Sequence, residues 1–144
     1  MITIYMDSSI KCWNKKKDGV VGFVVATEGK EPKPMFGTVH KANSNEAAVI
    51  CLSQALDRVK NVKGDVMVFT SSYYINNILE AETIYKWPKR NWKTRQNKEI
   101  KHKEYWQTIY KALGDRKISV KYAKEHEYKS WLEAELTKRS KKYE

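Results

Sequence analysis

The stretch ITIYMDSS, residues 2–9, alternates apolar and more polar side chains before it ends in two serines. Ile2, Ile4 and Met6 fall on one side of this alternation, and Asp7 follows at its end. A period of two residues is typical of a half-buried β-strand, because successive side chains of a strand point to opposite faces. The stretch therefore predicts a strand that carries an aspartate at its carboxyl end.

Two more apolar runs follow at residues 20–26 and 35–40. A polar, lysine-rich turn at 14–19 precedes the first run, and a turn at 28–34 with one glycine and two prolines separates the two runs. Gly and Pro at such positions mark reversals of the chain. Because short connections join antiparallel neighbours, the three strands are predicted to form an antiparallel meander.

The hydrophobic period changes after the meander. Apolar residues in the stretch 45–60 recur at helical spacing, which predicts an amphipathic helix with Asn43 or Ser44 as its cap. The later predicted elements are a strand at 66–70, a helix at 72–80, a helix at 100–113, a strand at 118–123 and a helix from about residue 130. Parallel strand–helix–strand units need right-handed crossovers. We therefore expect one α/β domain over 1–144, with a mixed five-stranded sheet of three antiparallel strands and then parallel strands, flanked by helices.

The composition limits the class of protein. The 144 residues include 28 Lys and Arg against 17 Asp and Glu, a formal net charge of +11, and 41% of them are apolar. The sequence has no apolar run of the roughly 18 residues that a membrane span needs, and its first residues lack the pattern of a signal peptide. Cys12 and Cys51 have no metal-site spacing. We expect an intracellular protein, outside the membrane, with a polyanionic partner.

Five stretches together resemble type 1 ribonuclease H, whose element order is the one predicted above. They are IYMDSS (4–9), NSNEAAVICLSQAL (43–56), VFTSSYYI (68–75), KWPKRNWKTRQNKEIKHKEYWQTIYKAL (86–113) and ISVKYAKEHEYKSWLEAEL (118–136). The fourth stretch resembles the basic protrusion, or handle, of bacterial members and is the most specific of the five. The resemblance implies a ribonuclease H-like fold with a basic handle at about 84–104.

The resemblance also implies a chemistry, the metal-dependent hydrolysis of the RNA strand of an RNA/DNA hybrid with Mg²⁺ or Mn²⁺. Two ions about 4 Å apart hold the attacking water and the leaving oxygen, and the family binds them with four carboxylates. The first two carboxylates match Asp7 and Glu46. The third position holds Ser71 and the fourth holds Ala134. The mobile histidine of the family matches His126.

This departure from the family pattern favours a loss of efficient cleavage. A serine hydroxyl is a poor substitute for a carboxylate and an alanine ligates nothing, so Asp7 and Glu46 remain as weak metal ligands. A metal cofactor is expected only if the chain is active. Glu133 and Glu135 flank Ala134, but each lies about 100° from it around the helix. Glu125 and Glu127 lie in the loop that carries His126. A small shift in register would let one of these four glutamates serve instead.

The predicted handle is rich in cations. Between residues 86 and 103, eight residues are basic and one, Glu99, is acidic. Such residues neutralise phosphates, and the alternative is a solvated charged face. The residues predicted to contact nucleic acid are Asn43, Ser72, Tyr73, Lys86, Lys89, Arg90, Trp92, Lys93, Thr94, Arg95 and Lys98. The structural alternatives are Asn43 as a helix cap, Tyr73 as a surface ring, and Trp92, with Trp106, as packing inside the handle.

Three functions remain open from the sequence. The favoured one is a catalytically degenerate pseudoenzyme that binds a nucleic acid duplex, an RNA/DNA hybrid or double-stranded RNA, through backbone and 2′-hydroxyl contacts. The first alternative is a divergent active ribonuclease H, and the second is a protein-interaction scaffold with a protein partner. The divergence of the sequence from the family pattern and its many lysines suggest a viral source. The sequence does not indicate the oligomeric state.

Overall fold

The computed structural model describes residues 1–143, so that Glu144, the last residue of the predicted domain, lies outside the described range. The strands are β1 (Ile2–Ser8), β2 (Lys17–Thr27), β3 (Lys33–Ala42), β4 (Val66–Thr70) and β5 (Ile118–Tyr122). The α-helices are α1 (Ser44–Arg58), α2 (Tyr73–Glu80), α3 (Thr83–Lys86), α4 (Lys103–Leu113) and α5 (Lys129–Ser140). Short 3-10 turns occur at Pro88–Arg90 and Lys141–Tyr143. In residues 1–143, every helix falls short of the length and apolarity that a membrane crossing requires.

β1 is the central strand of a five-stranded sheet with the order β3-β2-β1-β4-β5. It pairs antiparallel with β2, which in turn pairs antiparallel with β3. On its other side β1 pairs parallel with β4, which pairs parallel with β5. This arrangement confirms the predicted mixed sheet, in which an antiparallel meander is followed by parallel strands.

The alternation along β1 places buried side chains on both faces of the sheet. Ile2 and Ile4 belong to the larger core, which also contains residues of α1, α2 and α4. Tyr5 packs on the opposite face with Val24 of β2 and Leu132 of α5. Burying an aliphatic or aromatic side chain of this kind stabilises the fold by about 1.5–3 kcal/mol. Helices therefore cover both faces of the sheet, as predicted.

Two helices beside the carboxyl ends of β1 and β4 begin at defined caps. The Asn43 side chain accepts a hydrogen bond from the Glu46 N–H at 2.9 Å, and the Glu46 carboxylate accepts one from the Asn43 N–H at 3.3 Å. This capping box begins α1. The Ser72 hydroxyl accepts a hydrogen bond from the Ile75 N–H at 3.2 Å and so caps α2. The caps fix the first turns of both helices next to the end of β1.

Three elements begin two or three residues from their predicted starts. β2 begins at Lys17 rather than at residue 20, because part of the lysine-rich turn joins the hairpin with β3. β3 begins at Lys33 and includes Pro34, which is tolerated because β3 is an edge strand. α4 begins at Lys103 rather than at residue 100, because His102 adopts a left-handed conformation with a φ of 59°.

The handle between α2 and α4 contains structure that the sequence did not predict. The short helix α3 and the 3-10 turn Pro88–Arg90 occupy its first half. An isolated antiparallel bridge between Lys93 and Glu99 closes its second half. Asn91 and Trp92 have φ values of 56° and 59°, a left-handed conformation that turns the chain back toward α4.

Candidate nucleic-acid cleft and handle

A cleft of about 390 Å³ opens where β1 and β4 end and where α1 and α2 begin. Asp7 near the end of β1 and Ser71, Ser72 and Tyr73 after β4 line it, together with Trp13 from the loop between β1 and β2. The topology brings these residues together because β1 and β4 are parallel neighbours whose carboxyl ends lie at the same edge of the sheet. Four of the predicted site residues therefore share one cavity.

Asp7 is a buried charge in the wall of the cleft, with a side chain that is 3% exposed. Its Oδ1 accepts hydrogen bonds from the Ser8 N–H at 2.8 Å and from the Lys11 ammonium at 2.7 Å, and its Oδ2 accepts one from the Lys129 ammonium at 3.2 Å. Burial by itself would raise the pKa of Asp7, but the Lys11 charge, the hydrogen bonds and the Lys129 charge outweigh it and lower the pKa. The carboxylate is therefore ionised and has a cation on each oxygen.

Lys129, the first residue of α5, also contacts a second carboxylate. Its ammonium lies 3.9 Å from Glu133 Oε2, and its side chain is 17% exposed. Residues four apart share one face of a helix, so Glu133 lies on the side of α5 from which Lys129 reaches Asp7. Ala134, which the resemblance sets at the fourth carboxylate position, is exposed. Its assignment stays a prediction, and Glu133 is the flanking glutamate that Lys129 connects to Asp7.

Glu46 has both a structural partner and a cationic one. Its carboxylate completes the capping box with Asn43, and its Oε1 lies 3.2 Å from the Lys16 ammonium. The side chain is 21% exposed, so the ion pair is partly shielded from water. Asn43 acts as the helix cap, one of the two roles that the sequence left open for it. Each of the two predicted metal ligands therefore pairs with at least one lysine.

The segment after β4 presents hydroxyl and aromatic groups to the cleft. Ser71, which the resemblance sets at the third carboxylate position, is a neutral residue in the wall. The hydroxyl of Ser72 is engaged in capping α2. Tyr73 is 65% exposed, and its ring stacks on Tyr122 with 4.6 Å between the ring centroids. Tyr73 is therefore accessible to a ligand while a neighbouring ring holds it in place.

The acidic groups of the cleft do not form a compact ligand set. Across the described range 1–143, no three Asp, Glu, His or Cys side chains converge closely enough to hold a metal ion. Mg²⁺ takes oxygen ligands and usually binds through carboxylates together with several waters. At Asp7 both carboxylate oxygens already accept hydrogen bonds from ammonium groups.

His126 lies in the loop between β5 and α5 and packs against aromatic rings. Its ring centroid is 5.0 Å from that of Tyr5 and 6.3 Å from that of Phe69. Its Nδ1 accepts a hydrogen bond from the Tyr128 N–H at 3.1 Å. Burial lowers the pKa of His126, and the charge of Lys129 lowers it further. The fold therefore favours a neutral imidazole, and a role for His126 as a general acid stays a prediction.

Tryptophans attach the handle to the rest of the molecule. Trp106 of α4 is fully buried, and its indole N–H donates a hydrogen bond to the Tyr74 hydroxyl at 2.9 Å. The Trp87 ring centroid lies 5.5 Å from that of Trp106 and 6.1 Å from that of Trp92, which is 5.7 Å from Tyr110. Aromatic pairs at such separations contribute about 0.5–1.5 kcal/mol beyond the area they bury. The aromatic rings therefore pack the handle against the larger core, to which Trp106 belongs and against which Trp92 packs.

Most cations of the handle point into solvent. The exposed ones, called the handle cations below, are Lys86, Lys89, Arg90, Arg95, Lys98 and Lys101. Lys93 and Thr94, also predicted to contact nucleic acid, are half-buried. Lys103 pairs with Glu99 at 3.1 Å and so neutralises the single acid between residues 86 and 103. The surface of the handle therefore carries a large excess of positive charge.

The contacts of Asp7 with Lys11 and Lys129 were not predicted from the sequence. Lys11 follows Asp7 by four residues, a spacing that predicts a contact in a helix but not in the irregular loop found there. Lys129 is 122 residues away from Asp7, and its contact depends on how α5 packs against the sheet. Trp13, which is 71% exposed and lines the cleft, was missed for a similar reason. No local pattern in the sequence marks these three residues.

Comparisons with known proteins agree with this geometry. The family model described as RNase H matches residues 1–133. The ribonuclease H of Escherichia coli (strain K12 / DH10B) is 28% identical over 125 residues, which are 87% of this chain and 77% of that protein. The foamy viral protease-reverse transcriptase in complex with dsDNA matches with a TM-score of 0.73 and 20% identity over 96% of this chain and 90% of that chain. The same viral protein in complex with an RNA/DNA hybrid matches with a TM-score of 0.72 and 17% identity over 98% of this chain and 19% of that chain. The match of the family model over most of the sequence shows that this chain belongs to the RNase H family, type 1.

Proposed function

We propose that this chain is a duplex-binding member of the RNase H family with a degenerate active site. It binds an RNA/DNA hybrid or double-stranded RNA through the handle and the rim of the cleft, and it does not cleave its ligand efficiently. The observation that carries this proposal is that lysine ammonium groups occupy both oxygens of Asp7. The neutral Ser71 in the wall of the same cleft supports it.

Electrostatics argues against a pair of divalent ions in this cleft. A divalent ion about 4 Å from an ammonium group is repelled by roughly 8 kcal/mol at an effective dielectric constant of about 20. An ion at Asp7 meets two such groups, Lys11 and Lys129, or has to displace them. Displacing Lys129 moves a side chain that is only 17% exposed. The residues present therefore do not fit the two ions on which the family's chemistry depends.

A nucleic acid duplex is the polyanion that the family relationship favours. Foamy viral neighbours of the same fold have been solved in complex with dsDNA and with an RNA/DNA hybrid. Lys and Arg that contact phosphates release counterions from the duplex, which gives affinity without dependence on base sequence. A-form duplexes are recognised mainly through shape, phosphates and 2′-hydroxyls. The six handle cations supply the charge for such contacts.

Binding and cleavage measured side by side test the proposal. We expect the chain to bind a fluorescently labelled RNA/DNA hybrid, with an affinity that falls steeply as salt rises from about 50 to 200 mM. We expect no cleavage of the same hybrid with Mg²⁺ or Mn²⁺ at high protein concentration. Binding that does not respond to salt, or no binding to hybrid, double-stranded RNA or double-stranded DNA, contradicts the duplex-binding part. Efficient cleavage contradicts the degenerate site.

A divergent active ribonuclease H is the second candidate. Membership of the RNase H family favours it, as does Glu133, which Lys129 links to Asp7. Asp7, Glu46 and Glu133 would then supply carboxylates once the lysines had turned away. Cleavage that Asp7→Asn, Glu46→Gln and Glu133→Gln each abolish, and that the control Glu135→Gln leaves intact, would identify this function.

We further propose an intracellular location. Cys12 and Cys51 are both free thiols, and reducing compartments keep thiols in that state. Cell fractionation with an antibody against the chain tests this location, and recovery of the protein from the medium contradicts it.

A further inference from the structure

Asp7, which lines the cleft, and two carboxylates next to its lining residues or lysine partners, Glu46 and Glu133, each have a lysine partner. The pairs are Asp7 with Lys11 at 2.7 Å and with Lys129 at 3.2 Å, Glu46 with Lys16 at 3.2 Å, and Glu133 with Lys129 at 3.9 Å. We call Lys11, Lys16 and Lys129 the cleft lysines. The three carboxylates and the three ammonium groups cancel in formal charge.

This balance of charge is what a phosphate needs in order to enter an acidic cleft. A group of carboxylates repels the phosphates of a duplex unless cations lie between them, and in two-metal hydrolysis the bound ions fill that place. We propose that the cleft lysines are built-in counterions that take the place of divalent ions, so that a duplex phosphate enters this cleft without any metal. The inference rests on the proposed function, because it requires a duplex as the ligand.

The three cleft lysines differ in exposure, and we therefore expect them to have different roles. Lys129 is 17% exposed and lies within 4 Å of two carboxylates, so its charge stays next to Asp7. The side chains of Lys11 and Lys16 are 63% and 62% exposed. Their ammonium groups can therefore contact a phosphate at the entrance while they remain near Asp7 and Glu46.

The size and the lining of the cleft suit a nucleotide unit. Its volume is about 390 Å³, and the exposed rings of Trp13 and Tyr73 form part of its lining. Exposed aromatic rings next to cations are the groups on which bases stack in proteins that bind nucleic acids. A nucleotide unit in the cleft can thus contact a lysine with its phosphate and a ring with its base or sugar.

Duplex affinity with and without divalent ions tests the inference. A labelled RNA/DNA hybrid is titrated in EDTA and in MgCl₂ at matched ionic strength, with wild type, Lys11→Met, Lys129→Met and the control Lys30→Met. Lys30 lies in the turn between β2 and β3, at the end of the sheet away from Asp7. We expect wild-type affinity in the two buffers to agree within about twofold, and both cleft variants to bind roughly threefold more weakly than the control in EDTA. Wild-type affinity that is lost in EDTA, or cleft variants that match Lys30→Met, overturns the inference.

A charge-preserving variant separates electrostatics from folding. Lys129→Met leaves the buried Asp7 with one cation, and the variant therefore carries a risk of misfolding. Lys129→Arg keeps the positive charge, so we expect it to bind the hybrid in EDTA close to wild type. Equal losses of affinity in Lys129→Met and Lys129→Arg, with both variants folded by circular dichroism, contradict a counterion role.

Paramagnetic Mn²⁺ provides a readout that needs no duplex. We expect no selective broadening of the backbone amide signals of Asp7 and Glu46 in the NMR spectrum of the wild type. We expect selective broadening at Asp7 in the Lys11→Met/Lys129→Met double variant, because the Asp7 carboxylate then has no ammonium partner, whereas Glu46 keeps Lys16. Selective broadening in the wild type, or none in the double variant, overturns the inference. If the Mn²⁺ result is as expected and no duplex binds, the proposed function fails instead.

Discussion

The cleft and the handle both contain many cations, but they hold them in opposite ways. In the cleft, each of the three lysines lies within 4 Å of a carboxylate. In the handle, eight basic residues accompany one acid between residues 86 and 103, and that acid, Glu99, pairs with Lys103. The positive charge of the cleft is therefore internally compensated, whereas that of the handle is available to a partner.

This difference separates two contributions to binding. Uncompensated surface charge supplies long-range attraction and most of the salt-dependent affinity for a duplex. Compensated charge adds little attraction at a distance, but it allows phosphates to come close to carboxylates that would otherwise repel them. We therefore expect the handle to set the affinity for a duplex and the cleft to set how the duplex lies on the domain.

The largest effect is expected where the handle joins the core. Trp106→Ala should lower the free energy of unfolding by about 3–5 kcal/mol, because it empties a fully buried site. It also leaves the Tyr74 hydroxyl without the indole donor. Urea denaturation followed by circular dichroism measures the loss. Trp13→Ala, at an exposed tryptophan, is the matched control and should change stability little. Similar losses in both variants would contradict a stabilising role of the buried Trp106 ring.

The next-largest effect is a loss of duplex affinity when exposed cations of the handle are removed. Lys89→Gln combined with Arg90→Gln removes two exposed cations and should weaken binding of a hybrid by about tenfold at low salt. The slope of log affinity against log salt should become shallower by about 1 for each phosphate contact that is lost. Fluorescence anisotropy at several salt concentrations measures both quantities.

The control for this experiment removes two cations far from the handle. Lys30→Gln combined with Lys33→Gln changes the net charge by the same amount at the start of β3 and the turn before it. We expect a much smaller loss of affinity and an unchanged salt slope. Equal effects of the two double variants would mean that net charge alone, and not the handle, attracts the duplex.

A smaller effect of opposite sign is expected in the cleft. Asp7→Asn removes the carboxylate that Lys11 and Lys129 neutralise, so it should tighten duplex binding by roughly threefold at low salt. It should also reduce stability by about 1–3 kcal/mol, because charge-assisted hydrogen bonds are weakened. Asp57→Asn, at an exposed ion pair with Lys60, is the control and should change neither quantity much. Weaker binding of Asp7→Asn would indicate that the carboxylate itself holds the ligand through a cation.

Much of the fold was predictable because it depends on local periodicity. The alternation in β1 and the helical spacing in α1 specify which faces are buried, and short connections specify the meander. The handle was less predictable, because its path depends on left-handed residues such as Asn91 and His102. Left-handed conformations are uncommon at residues other than glycine, so a short window of sequence does not indicate where they occur.

The candidate site was predictable only in part. The resemblance matched Asp7 and Ser71 to two positions of one carboxylate site, and the cleft contains both residues. The lysine partners were not predictable, since the contact between Lys129 and Asp7 joins opposite ends of the chain. A long flexible side chain can reach many targets, and only the packing of α5 selects this one.

The smallest effect is a pH dependence of stability on the α5 side of the cleft. Burial, with a further contribution from Lys129, lowers the pKa of His126, while Asp7, Glu125 and Glu127 oppose the shift without reversing it. The unfolded chain therefore binds a proton at His126 before the folded chain does. Stability should fall as pH drops below about 6.5, the ordinary pKa of histidine, and should level off once the folded chain is also protonated. His126→Asn keeps an acceptor for the Tyr128 N–H and removes the titration, so its stability should fall less between neutral and mildly acidic pH.

Urea denaturation at several pH values measures this difference, with His40→Asn at an exposed histidine as the control. Burial also lowers the pKa of His102, so part of the wild-type slope should persist in His126→Asn. If His126→Asn and wild type instead lose stability in parallel, the imidazole is as free to take a proton in the folded chain as in the unfolded one. The aromatic cluster around Tyr5 would then leave the His126 ring open to water, and the charge of Lys129 would have no effect on its protonation.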